Sequence, residues 1–179
     1  QAQLDLAQRY PMPYREQVLA QARAAGLDPA DPYGLMRQES RFISDARSGV
    51  GAAGLMQVMP ATARWTARQL GLPYSPGALK ELDFNLRIGM AYLRRVLDDF
   101  GGALPLAAAA YNAGPGRPRR WREGALLDAA AWAETIPFTE TRDYVKKVLA
   151  NATVYARLMG REDARLRQRL GTQIGPRSG

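Results

Sequence analysis

The chain has 179 residues, 46% of them hydrophobic, enough for one real core and suggestive of one domain rather than two. It contains no cysteine and no histidine, which excludes thiol nucleophiles, disulfides, a serine/histidine triad and almost every zinc site, and leaves carboxylates, tyrosines and lysines as acid/base groups. The formal net charge of +8 predicts attraction to a polyanion, whether nucleic acid, an anionic membrane or an acidic cell-wall polymer, while no stretch approaches the roughly twenty apolar residues of a membrane span.

The chain opens at Gln1 with no charged and apolar leader, as expected of a mature chain or an excised domain without its targeting signal. Pro13 then opens, and Gly26 closes, a helix from Tyr14 to Ala25 with Val18, Leu19 and Ala22 on one side. Asp31 reads as an N-cap with Pro32 at the first helical position. The helix so begun carries "GLMRQESRF", Gly34 to Phe42. Helical spacing puts Leu35, Met36, Phe42 and Ile43 three and four residues from Glu39, so the apolar stripe is centred on a carboxylate. An isolated glutamate in such a place more often pairs with a neighbour, here Arg37 or Arg41, or reaches solvent. The sharper reading is a desolvated carboxyl that keeps its proton near neutral pH and donates it as a general acid.

From Ser44 to Gly54 the periodicity stops, and Gly49, Gly51 and Gly54 mark a loop whose backbone can approach a ligand. Only Leu55 to Val58 has room for a strand. A helix from Pro60 to Leu70 follows; Asp83 caps a long one to Phe100, and Pro105 opens an alanine-rich one ending in "YNAGPG". "RPRRW" reads as basic and irregular, Asp128 to Glu134 as a short helix, and Thr139 as the cap of a last long helix before Gly160. The fold class is therefore mainly α: a single helical domain with at most a small β element near residues 48–58. Beyond Gly160 a charged and then Gly/Pro/Ser-rich stretch predicts a peripheral helix and a loose end.

Three further stretches resist a purely structural account. Gln57 lies between Met56 and Met59 beside the glycine loop, a mix that suits a ligand with apolar faces and hydroxyls, although a backbone-satisfied strand residue explains it equally well. Tyr111 is the one large side chain in a run of alanines, whereas Asn112 before Gly114 is ordinary helix-end chemistry. "IPFTETRDYV" offers Glu140 and Tyr144 at a helix start, where acids are expected from the dipole alone. Trp65, Trp121 and Trp132 suit either sugar stacking or the more common core packing.

Together, Glu39-Ser40, "SGVGAAGLMQVMP" at 48–60, "AYNAGPG" at 110–116 and "IPFTETRDYV" at 136–145 resemble, in order and spacing, the catalytic domain of the soluble lytic murein transglycosylases. One departure is Gly49, where that family commonly has proline. The resemblance implies an α+β lysozyme-like fold related to goose-type lysozyme, over residues 1–160, with residues 161–179 as a charged peripheral tail. It implies cleavage of the β-1,4 bond between N-acetylmuramic acid and N-acetylglucosamine with formation of 1,6-anhydromuramoyl ends, without metal or cofactor. Glu39 matches the single catalytic acid/base; Ser48, Gln57, Met59, Tyr111 and Glu140 match cleft residues, and Asn112 and Tyr144 join them as substrate-binding candidates from the same motifs. The partners implied are peptidoglycan glycan strands, with other cell-wall enzymes as further candidates and no nucleic acid, in the periplasm. Two alternatives stay open: a lysozyme-type hydrolase using water with help from Asp45 or Glu140, and a non-catalytic basic domain that binds glycan or nucleic acid.

Overall fold

Proline and glycine punctuate the chain as expected, and between them the computed structural model, which describes residues 2–160 and 173–177, is built almost wholly of helices. In chain order these are α1 (Ala2–Arg9), α2 (Arg15–Ala24), α3 (Ala30–Glu39), α4 (Pro60–Gln69), a 3-10 turn (Pro76–Lys80), α5 (Leu82–Asp99), α6 (Leu104–Ala113), α7 (Gly116–Trp121), α8 (Ala129–Glu134) and α9 (Thr139–Leu158). Two short strands, β1 (Leu127–Asp128) and β2 (Gln173–Ile174), pair antiparallel with Leu127 opposite Ile174. The expected mainly α class is thus the observed one, although α1 and the 3-10 turn left no signal that the sequence reading used.

α3 is enclosed, with Tyr33, Gly34, Leu35 and Met36 all buried, and it runs against α9, whose Val145, Val148, Leu149, Ala152 and Tyr155 form the apolar face that the spacing predicts. The approach is close because Gly34 has no side chain: a Cβ there would lie 2.7 Å from the backbone nitrogen of Ala152. Asn151 fastens the crossing by donating to the Gly34 carbonyl at 3.2 Å. Alanine is the better helix former by about 1 kcal/mol. Even so, Gly34→Ala is expected to destabilise the protein by a net of about 2 kcal/mol in urea unfolding at unchanged slope, because backbone meets backbone and the two helices must part.

Several boundaries differ from expectation for identifiable reasons. α3 starts before Asp31, which lies in its first turn; the side chain that caps it belongs to Asp28, accepting from the Ala30 N–H at 3.1 Å. At its other end α3 stops at Glu39. The Ser40 hydroxyl donates to the Met36 carbonyl and accepts from the Phe42 N–H, both at 3.2 Å, while Arg41 and Phe42 take positive φ of 51° and 64°. The predicted five-residue stripe is therefore broken: Phe42 folds back against Tyr33, with ring centroids 6.1 Å apart, and Ile43 is 55% exposed. Asp83 and Thr139 likewise lie in first turns without acting as side-chain caps.

"RPRRW", expected to be irregular, forms α7, anchored where Trp132 Nε1 donates to the Trp121 carbonyl and Trp121 meets Phe138 edge-on. Leu55 to Val58 is not a strand. Gln57 has φ of 47°, and the loop is held by isolated bridges of Ala53 with Arg47 and Val58; the paired strands lie instead at 127–128 and 173–174. Of the expected C-terminal tail, residues 161–172 and 178–179 lie outside the described residues. The described part is docked, with Ile174 buried and Arg122 Nε donating to the Gly175 carbonyl at 2.9 Å.

Candidate active site

Glu39 stands, half-buried, on the last turn of α3, where the helix carbonyls point toward it and oppose a negative charge. Neither arginine neighbour neutralises it. Arg37 turns away, donating to the Arg9 carbonyl at 3.3 Å and lying over the Tyr10 ring at 4.2 Å. None of the described ion pairs involves Glu39. Its partner is Tyr144 of α9, whose hydroxyl donates to Glu39 Oε1 at 2.8 Å.

Burial pushes the Glu39 carboxyl up from 4.5 to about 7; the Tyr144 hydrogen bond works against the rise, and the carboxylate of Glu140, one turn before Tyr144, adds to it. Burial and the Glu39 charge hold the hydroxyls of Tyr144 and Tyr111 well above the ordinary tyrosine value, so both remain protonated donors. A carboxyl near neutrality beside two neutral donors can give a proton and take one back within a single turnover.

The glycine loop is joined to this group through Tyr111. Ser48 closes its tip, its hydroxyl accepting from the Ala52 N–H and its own N–H donating to the Ala52 carbonyl, each at 3.0 Å. Gln57 clamps the base: Nε2 donates to the carbonyls of Ala46 and Gly54, both at 2.8 Å, and no described hydrogen bond engages its Oε1. Tyr111 of α6 donates to the Met56 carbonyl at 2.7 Å, tying α6 to this loop, while its ring meets Tyr92 at 5.5 Å. Met59 precedes α4 and is 38% exposed. Next to Tyr111, at the C-terminal end of α6, Asn112 Oδ1 accepts from the Thr141 hydroxyl at 2.8 Å, joining the helix to the start of α9.

Glu39, Tyr144, Tyr111 and Glu140 are therefore electrostatically coupled in one place, whereas Ser48 and Gln57 hold the loop without a hydrogen bond to Glu39. Tyr111, the one large side chain in its alanine run, packs against Tyr92 of α5. Asp45 is exposed and has no described link to Glu39.

The sequence reading passed over Asn85. Its side chain, 1% exposed, accepts from the Met56 N–H at 3.0 Å and donates to the carbonyls of Ala53 at 2.8 Å and Leu79 at 3.0 Å. The readable signal was an amide on the apolar stripe of α5, one turn from Gly89. Ser40 and Thr141 were missed too, because short hydroxyl side chains near helix ends are ordinary.

A cavity of about 470 Å³ opens one turn along α9 from Tyr144, lined by Arg9, Arg37, Arg41 and Lys147 and by no acidic side chain. Among the described residues no cluster of three or more acidic side chains is placed to hold a metal ion, and no helix is long and apolar enough to cross a membrane.

A family model described as the transglycosylase SLT domain matches residues 16–127, and one described as the soluble lytic transglycosylase helical domain matches residues 135–163. The soluble lytic murein transglycosylase of Salmonella typhimurium is 41% identical over 163 residues, which is 89% of this chain and 25% of that protein. The lytic transglycosylase Slt of Pseudomonas aeruginosa, solved as an inactive mutant in which one glutamate is glutamine, matches with a TM-score of 0.83 at 46% identity, over 88% of this chain and 26% of that one. The 70-kDa soluble lytic transglycosylase of Escherichia coli matches with a TM-score of 0.81 at 40% identity, over 87% and 26%. The chain thus spans about a quarter of the length of these relatives.

Proposed function

Since the chain belongs to the transglycosylase SLT family, we propose that it cleaves the β-1,4 bond between N-acetylmuramic acid and N-acetylglucosamine in peptidoglycan without consuming water, with Glu39 as the sole acid/base. The observation that carries this is Glu39 itself: a half-buried carboxyl with no cationic partner among the described residues, poised at about 7 and oriented by Tyr144.

Glu39 protonates the glycosidic oxygen, and the leaving saccharide departs with that proton. The acetamido oxygen of the muramoyl residue stabilises the cation developing at its C1. Glu39, now a carboxylate, takes the proton of the same sugar's C6 hydroxyl, and O6 closes onto C1 to give the 1,6-anhydro ring. The proton gained from O6 restores the acid, so the cycle balances without a nucleophilic carboxylate, a metal or water. A value near neutrality serves both halves, since a stronger acid would be a poorer base. Tyr144 fixes the carboxyl's direction, and Tyr111, Gln57 and Asn85 shape the wall against which the sugar lies. The cavity lined by Arg9, Arg37, Arg41 and Lys147 suits the carboxylates of peptide stems. Action on such a substrate supports a periplasmic location.

Incubation with purified cell-wall sacculi tests the reading: soluble muropeptides with anhydro ends are expected, and a chain that folds and binds sacculi yet releases nothing would overturn it. The pH profile adds a signed test. kcat/KM should fall on the alkaline side near pH 7, as the acid loses its proton. In Glu140→Gln a like charge is gone, the Glu39 value drops, and that limb moves to lower pH. In Tyr144→Phe the donor favouring the carboxylate is gone, the limb moves to higher pH, and kcat falls about tenfold or more through lost orientation. Movement of both limbs in one direction would contradict this electrostatic arrangement.

A further inference from the structure

A second cavity, of about 410 Å³, is walled by Thr62 and Trp65 of α4, Tyr92, Arg95 and Asp99 of α5 and Arg119 of α7. We propose that it is a distal glycan subsite, holding a muramoyl pyranose of the strand beyond the four sugars centred on the scissile bond; this rests on the reaction proposed above.

Trp65 motivates the assignment. Trp132 is buried and Trp121 half-buried, as core tryptophans usually are, but Trp65 is 40% exposed and faces this cavity. An exposed aromatic beside fixed polar groups matches a pyranose, which has an apolar face and an equatorial rim of hydroxyls. The polar groups are held in place. Arg95 lies 5.4 Å over the Trp65 ring, and its Nε donates to both oxygens of Asp99, at 3.1 and 3.3 Å. Arg119 approaches the same carboxylate at 3.8 Å. The terminal nitrogens of Arg95 take part in none of the described hydrogen bonds, so they remain available as directed donors. Two guanidinium groups against one carboxylate leave a net positive charge, which favours a muramoyl unit whose lactyl carboxylate is free, as in strands stripped of their peptides, over a neutral sugar.

The cavity also adjoins the site around Glu39. Its Tyr92 wall touches Tyr111, which holds the Met56 carbonyl, and Pro115 of the "YNAGPG" turn lines it as well. Ala61, which also lines it, lies two residues beyond Met59.

The test uses Glu39→Gln protein, so that strands are bound and not cut, with amidase-stripped glycan strands and a stripped tetrasaccharide as probes. Trp65→Ala in that background should weaken the Kd for long strands about tenfold, leave the tetrasaccharide within about twofold, and Trp65→Phe should recover most of the loss. Equal Kd values for long strands with and without Trp65, or an equal loss for both probes, overturns the subsite. Cleavage is read separately on protein with Glu39 intact. Strands that are cut normally but bound indifferently to Trp65 remove the subsite alone, whereas Trp65-dependent binding without any cutting removes the proposed reaction alone.

Discussion

Glu39→Gln is expected to lower turnover of peptidoglycan by about three orders of magnitude or more, because in the proposed reaction one group serves as acid and then as base and glutamine can do neither. Binding of intact glycan strands should survive, since the amide keeps the shape of the carboxyl and can still accept from Tyr144. The same substitution should stabilise the protein at alkaline pH. The folded carboxyl takes its proton at about 7 against an ordinary 4.5, so between these values the native state holds a proton that the unfolded chain has released. Stability from this group is therefore fully present below about pH 4.5 and declines as pH rises to about 7, by up to about 3 kcal/mol. Calorimetric scans of Glu39→Gln and the parent should differ in Tm at pH 8 in favour of the variant and converge near pH 4. An equal difference at both values would show that the Glu39 carboxyl is not held near neutrality.

Asn85→Ala should be the most damaging change away from Glu39. It leaves the Met56 N–H and the carbonyls of Ala53 and Leu79 without partners in a buried setting. At about 1 to 3 kcal/mol for each stranded group, partly relieved by relaxation, a loss of about 4 kcal/mol is expected, a large part of the 5 to 15 kcal/mol that holds an ordinary domain. Met56 also carries the carbonyl that receives Tyr111, so kcat of the folded fraction at low temperature should fall about tenfold as well. Gly54 provides a cross-check. It has φ of 78°, and a Cβ there would overlap the Asn85 carboxamide, so Gly54→Ala should cost clearly less in the Asn85→Ala background than alone. Full additivity, or an Asn85→Ala protein of normal stability and rate, would mean that the loop is held by other contacts.

The helices were legible because their apolar spacing and their Pro and Gly boundaries agree, most plainly in α5 and α9. Glu39 was legible for a partly mistaken reason. Leu35 and Met36 do share its helical face, but Phe42 reaches the core only by folding back through left-handed backbone, and Ile43 does not reach it at all. What buries the carboxyl is α9, brought close by Gly34 and presenting Tyr144 from more than a hundred residues away along the chain. Periodicity cannot register such a contact. Asn85 was invisible for the same reason: its three partners lie on a loop and a turn that have no period of their own. The pairing of 127–128 with 173–174 depends on a long return of the chain, so the strand was sought at Leu55 to Val58, the one interval with room for it between helices.

In the proposed reaction Glu39 works alone, and the C6 hydroxyl, not water, ends it. Glu140 is close enough to raise the Glu39 value and is the natural base for a hydrolytic alternative. Digestion of purified glycan strands by the unaltered protein in heavy-oxygen water, followed by mass spectrometry of the new muramoyl ends, separates the two. Anhydro ends, one water lighter than reducing ends and free of heavy oxygen, are the expected result; reducing ends carrying heavy oxygen at C1 would contradict it.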